Sequence, residues 1–149
     1  MSQSLSKIVV HVVFSTKNRR PLLADPDIRC SLYKYLGGIL RELKCSSIEI
    51  GGASDHVHIV CSLAKTHALS DVIQNLKTSS SKWLKENGVR GFAWQNGYRA
   101  FSVSESNLEE VRRYVVSQEE HHRKMTFQDE LRRLLQRHKV EFDERYLWD

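Results

Sequence analysis

His56 and His58 flank one valine in the run Asp55-His56-Val57-His58-Ile59-Val60. On a strand, alternation sends both imidazoles to one face and Val57 and Ile59 to the other. Residues two apart on a strand are separated by roughly 6.6 Å, so both rings can converge on one divalent ion about 2.1 Å from each nitrogen. Two ligands do not complete a metal site. A lone His-x-His is more often a pair of partly exposed strand residues, and buried imidazoles without a metal each need a hydrogen-bond partner. Asp55 falls on the opposite face of such a strand and is not assigned as a ligand. A second pair, Tyr114 and Gln118 in Arg112-Arg113-Tyr114-Val115-Val116-Ser117-Gln118, is spaced by four, which places the side chains about 6 Å apart on one helix face. A phenol and an amide oxygen can then face one centre. Taken alone, the pair reads better as a tyrosine at the core margin and a solvated glutamine.

The elements that must position these residues follow from hydrophobic pattern. Lys7 to Lys17 carries Ile8, Val9, Val10, Val12, Val13 and Phe14, which suits a strand buried on both faces. Asp25-Pro26 signals a helix start, and Ile28, Leu32, Leu36, Ile39, Leu40 and Leu43 recur at helical spacing. A short strand near Ser47 to Ile50, then Gly51-Gly52, then the apolar run His56 to Leu63 reads as a hairpin. A second helix bearing Leu69, Val72, Ile73, Leu76, Trp83 and Leu84 should end near Asn87-Gly88, where glycine can adopt the left-handed cap conformation. Phe92 to Gln95 and Tyr98 to Val103 flank Asn96-Gly97, a signal for a hairpin or a bent strand. Ser106 with Glu109 matches a capping box for the helix of Tyr114, and Thr126 with Asp129 a second box for a helix carrying Phe127, Leu131, Leu134 and Leu135. The order strand, helix, strand, strand, helix, strand predicts an α+β, ferredoxin-like split βαβ sandwich with an antiparallel sheet and added C-terminal helices. The 149 residues, 40% hydrophobic, suit a single domain over 1–149, with 125–149 as C-terminal helix and docking tail.

Together the two constellations, a hydrophobic residue between two histidines and a later Tyr-x-x-x-Gln, resemble the single-tyrosine HUH transposases of small insertion sequences and their REP-associated relatives. His11-Val-Val-Phe-Ser-Thr-Lys-Asn-Arg-Arg-Pro, Trp94-Gln-Asn-Gly-Tyr-Arg-Ala-Phe-Ser-Val and Glu119-Glu-His-His-Arg-Lys also look like that family. The resemblance spans nearly the whole chain. It implies that His56, His58 and Gln118 hold Mg2+ or Mn2+ and that Tyr114 is the nucleophile. Mixed nitrogen and amide-oxygen ligands suit manganese better than magnesium. A free phenol has a pKa near 10, so only about one part in a thousand is phenolate at neutral pH, and attack on a phosphodiester needs a cation to stabilise the growing charge. The expected product is a 5′-phosphotyrosine that a 3′-hydroxyl later attacks, rejoining DNA without ATP. The resemblance also implies a homodimer with composite sites, although cis and trans placements of Tyr114 are both physically open.

Lys and Arg exceed Asp and Glu, giving a net charge of +5 and a pI near 9.2, which favours a polyanionic partner. Single-stranded or hairpin DNA is the expected one. Lys17, Arg19 and Arg20 after the first strand, Lys77, Lys82 and Lys85 on the second helix, Arg99, and Arg112, Arg113, Arg123 and Lys124 around Tyr114 are the candidate DNA contacts. Trp83, Trp94 and Tyr98 could stack on bases, with Trp83 better read as core. His121 and His122 are left outside the site. Tyr146 is a rival nucleophile without a partner four residues on. No apolar stretch is long enough to span a bilayer and no secretory pattern opens the chain, so a cytoplasmic protein, at the nucleoid when bound to DNA, is expected. Cys30, Cys45 and Cys61 form no paired spacing and read as reduced thiols. The competing reading is a non-catalytic module that binds single strands on an aromatic sheet, but the valines of the first strand leave little room for such aromatics. A phosphoesterase with two histidine motifs needs a second His-x-Ser or His-x-Thr, and none occurs.

Overall fold

Strand β1 (Val9–Ser15) is buried along its whole length because both faces of the sheet are covered. Val10, Val12 and Phe14 face one layer of helices, and Val9, His11, Val13 and Ser15 face another. The computed structural model describes residues 2–122 and 124–148. Helix α1 (Pro26–Glu42) begins where the Asp25 carboxylate accepts the backbone N–H of Asp27 at 2.9 Å, which satisfies one of the free donors of the first turn. It buries Leu32, Leu36, Ile39 and Leu40. Strands β2 (Ser46–Gly52) and β3 (His56–Ser62) form the expected hairpin, with a bulge between Ser47 and Glu49. Helix α2 (Leu69–Glu86) stops at Asn87, and Gly88 follows at φ +93°, a value that costs glycine little.

The sheet runs β2-β3-β1-β4, every neighbour antiparallel, with β4 at Arg99–Val103. Helices α1 and α2 pack on the face of Val57, Ile59 and Cys61. This is the ferredoxin-like arrangement that the element order predicts. Around Asn96-Gly97 the bent strand, not the hairpin, is realised. Trp94 bridges to Thr16 and β4 pairs with β1, so both segments follow the same strand edge.

Two local expectations fail on the other face. The Ser106/Glu109 capping box does not form: Glu105–Asn107 make a 3-10 turn, Ser106 Oγ meets Ser104 Oγ at 3.1 Å, and helix α3 (Leu108–Val116) starts at Asn107 with no side-chain cap. The single helix expected through Tyr114 and Gln118 breaks at Ser117, and α4 (Gln118–His121) begins anew. At the break the Ser117 hydroxyl and the Gln118 amide both donate to the Tyr114 carbonyl, at 3.2 and 3.1 Å, competing with the helical ladder. The Thr126 cap does form, accepting from the Asp129 N–H at 3.2 Å, and α5 (Phe127–Arg137) follows. It lays Phe127, Leu131 and Leu135 against Val13 and Phe101, and Leu147 of the tail joins the same cluster. The centre of this second face is polar.

Candidate metal centre and nucleophile

In the β1–β3 ladder Ser15 faces His56, Val13 faces His58 and His11 faces Val60, so His11, His56 and His58 share the face beneath α3, α4 and α5. His56 and His58 are fully buried. Each ring is held by one nitrogen and presents the other. His56 Nδ1 lies 2.7 Å from the Asp55 carboxylate, leaving Nε2 directed inward, 3.1 Å from Gln118 Oε1. His58 Nδ1 lies 2.8 Å from His11 Nε2, leaving its own Nε2 directed at Glu130. Carboxylate or imidazole support behind a ligating histidine fixes its tautomer and ring orientation. Asp55 therefore does not stand apart on the opposite face: it precedes the strand proper, where alternation no longer governs side-chain direction.

Glu130 is the residue that sequence reasoning missed. It is 2% exposed on α5, with Oε1 2.8 Å from His58 Nε2 and Oε2 2.7 Å from His122 Nε2 and 3.3 Å from His121 Nε2. His58 Nε2 and both Glu130 oxygens nevertheless lack a properly directed hydrogen-bond partner. Donor atoms of His56, His58 and Glu130 all lie within 4.8 Å of one another. Three buried donors converging on one point, short of mutual hydrogen bonds, are what a divalent cation would satisfy. The donor set of two imidazoles and a carboxylate fits such an ion. Gln118 Oε1 reaches the same region, 3.0 Å from His122 Nε2.

The electrostatics agree with the geometry. Burial above all lowers the His58 pKa to about 4, against the raising influence of Glu130, and burial with the nearby His58 lowers His11 to about 3. Both stay neutral and able to act as ligand or acceptor. Burial alone would raise Glu130, but the close approaches of His122 and His58 outweigh it and hold the carboxyl well below its ordinary range. His122 is raised: burial opposes protonation, and the Glu130 carboxylate overcomes it.

Tyr114 stands over this cluster in its own chain. Its ring centroid lies 5.6 Å from His58, 6.3 Å from His11 and 5.3 Å from His121, all edge-on. Burial, reinforced by the Glu130 carboxylate and only partly offset by Gln118, pushes its pKa far above the ordinary phenol value. The resting side chain is a neutral phenol. What lets α3 approach so closely is Gly51, paired directly with His58 in the β2–β3 ladder; a Cβ there would sit 2.3 Å from the Val115 carbonyl oxygen.

Several of the candidate DNA contacts are engaged within the chain. Lys77 is folded inward and donates to the carbonyls of Gln95, Asn96 and Gly97 at 2.8, 3.3 and 2.6 Å. Arg99 donates to the carbonyls of Tyr98 and Leu147, tying the tail to β4. Arg112 pairs with Glu109 and Glu49. Arg19 lies over the Trp148 ring at 5.3 Å, while Lys17, Arg20, Lys82, Arg113 and Lys124 are exposed. Arg123 lies outside the described residues. Trp94 is core, wedged against Phe14 and Phe92 and donating to Ser80 Oγ at 2.9 Å, and half-buried Trp83 stacks one face on Tyr35.

Residues 4–118 match the family described as "Transposase IS200 like". The chain is 26% identical over 115 residues to the ISDra2 transposase TnpA of Deinococcus radiodurans, across 72% of this chain and 81% of that protein. Its fold is that of a solved candidate transposase from Deinococcus radiodurans, with TM-score 0.63 and 21% identity over 77% of this chain and 95% of the other. A solved REP-associated tyrosine transposase bound to a REP hairpin gives TM-score 0.56 and 14% identity over 77% and 70% of the two chains. The family match takes in His56, His58, Tyr114 and Gln118 and ends before His121, His122 and Glu130.

Proposed function

Because this chain belongs to the IS200-like transposase family, we propose that it cuts single-stranded DNA with Tyr114 and transfers the strand through a 5′-phosphotyrosine. The observation that carries this reading is the Tyr114 ring edge-on to His58, 5.6 Å away, above a buried cluster able to coordinate a divalent cation. His56, His58 and Glu130, with Gln118 beside them, would hold Mg2+ or Mn2+. When bound, the cation would supply positive charge at a non-bridging phosphate oxygen, where negative charge grows as the phosphodiester is attacked.

The protein's own groups account for the rest. Asp55 and His11 hold the two ligand rings in place. Tyr114 Oη attacks phosphorus, the bond from phosphorus to the 3′-oxygen breaks, and the 3′-end leaves as a hydroxyl. Burial keeps the phenol protonated until attack; its proton then passes to solvent, and the departing 3′-oxygen takes one from solvent. In the return step a 3′-hydroxyl attacks the phosphotyrosine and Tyr114 recovers its phenol. An unpaired strand or hairpin arm suits this site, because in-line approach of Tyr114 to phosphorus is restricted in a stacked duplex. Each copy in the expected homodimer carries a full set of groups, so cis action needs no exchange of helices. No helix among the described residues is long and apolar enough to cross a membrane, in keeping with a cytoplasmic, nucleoid-associated role.

The test is incubation with a single-stranded oligonucleotide carrying a hairpin, with and without Mn2+. A protein–DNA adduct stable on denaturing gels, absent with chelator and absent for Tyr114→Phe, is expected. Undiminished adduct from Tyr114→Phe contradicts the assignment; hairpin binding without any adduct supports the non-catalytic binding module instead.

A further inference from the structure

Between α3 and α5, over β4 at the free edge of the sheet, a cavity of about 440 Å³ opens beside Tyr114. Tyr114, His11 and Glu130 lie at one end of it, and Arg133, Arg137 and His138 line its α5 side. Helix α5 lies wholly beyond the residues that match the family.

Three features of this cavity point to one occupant. Arg133 and Arg137 are four residues apart, so their side chains rise from one helix face about 6 Å from each other. Neither makes a hydrogen bond or ion pair among the described residues, whereas Arg29, Arg99, Arg112, Arg132 and Arg145 are all engaged. Two uncommitted guanidiniums at the mouth of a cavity are suited to phosphate oxygens, which they can meet with paired N–H donors. Next, the His138 ring stacks on Phe101 with centroids 4.5 Å apart and planes at 25°. Phe101 is buried and His138 exposed, so Phe101 presets a flat ring toward the opening, as base stacking requires. Finally, Glu110 on the α3 side repels phosphate, which leaves the backbone of a bound strand to the α5 side. The volume is in the range of small-ligand sites.

We propose that this cavity binds one unpaired nucleotide next to the scissile phosphate, with Arg133 and Arg137 on its flanking phosphates and His138, backed by Phe101, under its base. This rests on the strand-cutting role proposed above. It makes α5 the part of the chain that reads the strand where it enters the site.

Binding of fluorescein-labelled dT20, followed by anisotropy over a range of salt concentrations in a Tyr114→Phe background at constant Mn2+, tests it without cleavage. Each single-strand phosphate contact contributes about 0.7 to the slope of log K against log salt, so Arg133→Ala/Arg137→Ala should flatten it by roughly 1.4. Lys34→Ala/Arg41→Ala, which removes the same charge from exposed α1 positions across the sheet, should leave it unchanged. His138→Ala should weaken binding about fivefold or more, and His138→Phe should restore it. A slope for the α5 double variant equal to that of the α1 double variant overturns the site while leaving the strand-cutting role intact. Absence of dT20 binding by the Tyr114→Phe parent overturns the nucleotide site, while the strand-cutting role stands or falls by the hairpin adduct described above.

Discussion

His11 Nε2 lies 2.8 Å from His58 Nδ1, a diagonal contact across the β1–β3 ladder that leaves His58 with a single nitrogen free for the cluster. His11 is 3% exposed and its low pKa keeps it neutral, so it orients His58 without adding charge. His11→Ala should therefore lower Mn2+ affinity by about 10- to 100-fold, the usual cost of removing a partner behind a metal ligand. Calorimetric titration of the folded variant reads this directly; an unchanged dissociation constant means that His58 needs no such support.

Gly51→Ala should displace Tyr114 without touching it. The added Cβ would meet the Val115 backbone carbonyl at 2.3 Å, and a shift of α3 against β2 is needed to relieve the clash. A stability loss of about 1–3 kcal/mol is expected from such overpacking. Because a displacement near 1 Å costs about 100-fold in rate, adduct formation should fall far more than folding does. Gly38→Ala, where a Cβ meets nothing within 4 Å, is the matched control and should leave adduct formation at the parental level.

In the metal-free protein, stability should decline on acidification between pH 6.5 and about 4. His58 titrates near 4 and His11 near 3 when folded, against 6.5 for each when unfolded, so throughout that window the unfolded chain binds more protons and acid favours it. His58 alone contributes on the order of 3 kcal/mol. Glu130, lowered, acts in the same direction further into acid: its contribution is present above the ordinary carboxylate pKa and is lost as pH falls. His122, raised, opposes them, because its contribution is complete below 6.5 and disappears as pH rises through its folded value. Thermal melts of the parent should drop steeply across the window and those of His58→Asn less so. Parallel profiles would show that His58 is not held neutral by burial.

Much of this was legible in the sequence, and the gaps have physical causes. The His56 and His58 pair was readable because strand alternation is strict, and the sheet order because β1 is apolar on both faces while its neighbours carry clear turn signals. Glu130 sits among Phe127, Leu131, Leu134 and Leu135 at helical spacing, on the very stripe that packs inward. A carboxylate in a buried stripe was the signal available. His11 is likewise a polar residue in an otherwise apolar strand, and its diagonal pairing with His58 depends on a strand register that spacing alone does not give. Lys77 and Arg99 could not be separated from true surface cations, because burial of their head groups against backbone carbonyls depends on tertiary contacts with Gln95 and Leu147.

The family resemblance implies composite sites shared between two chains, whereas in the single chain Tyr114 already stands over its own His58. A mixture of Tyr114→Phe and His56→Ala subunits, allowed to exchange and shown by mass to form mixed oligomers, should remain without adduct. Recovery of adduct in that mixture would place Tyr114 on the metal centre of the neighbouring chain.

The most direct measurement is identification of the residue that becomes joined to DNA. After incubation of the unmodified protein with single-stranded DNA and Mn2+, protease and nuclease digestion followed by mass spectrometry should find the residual nucleotide on the peptide containing Tyr114. Attachment at another tyrosine, such as Tyr146, which is 65% exposed and far more accessible, would contradict the account.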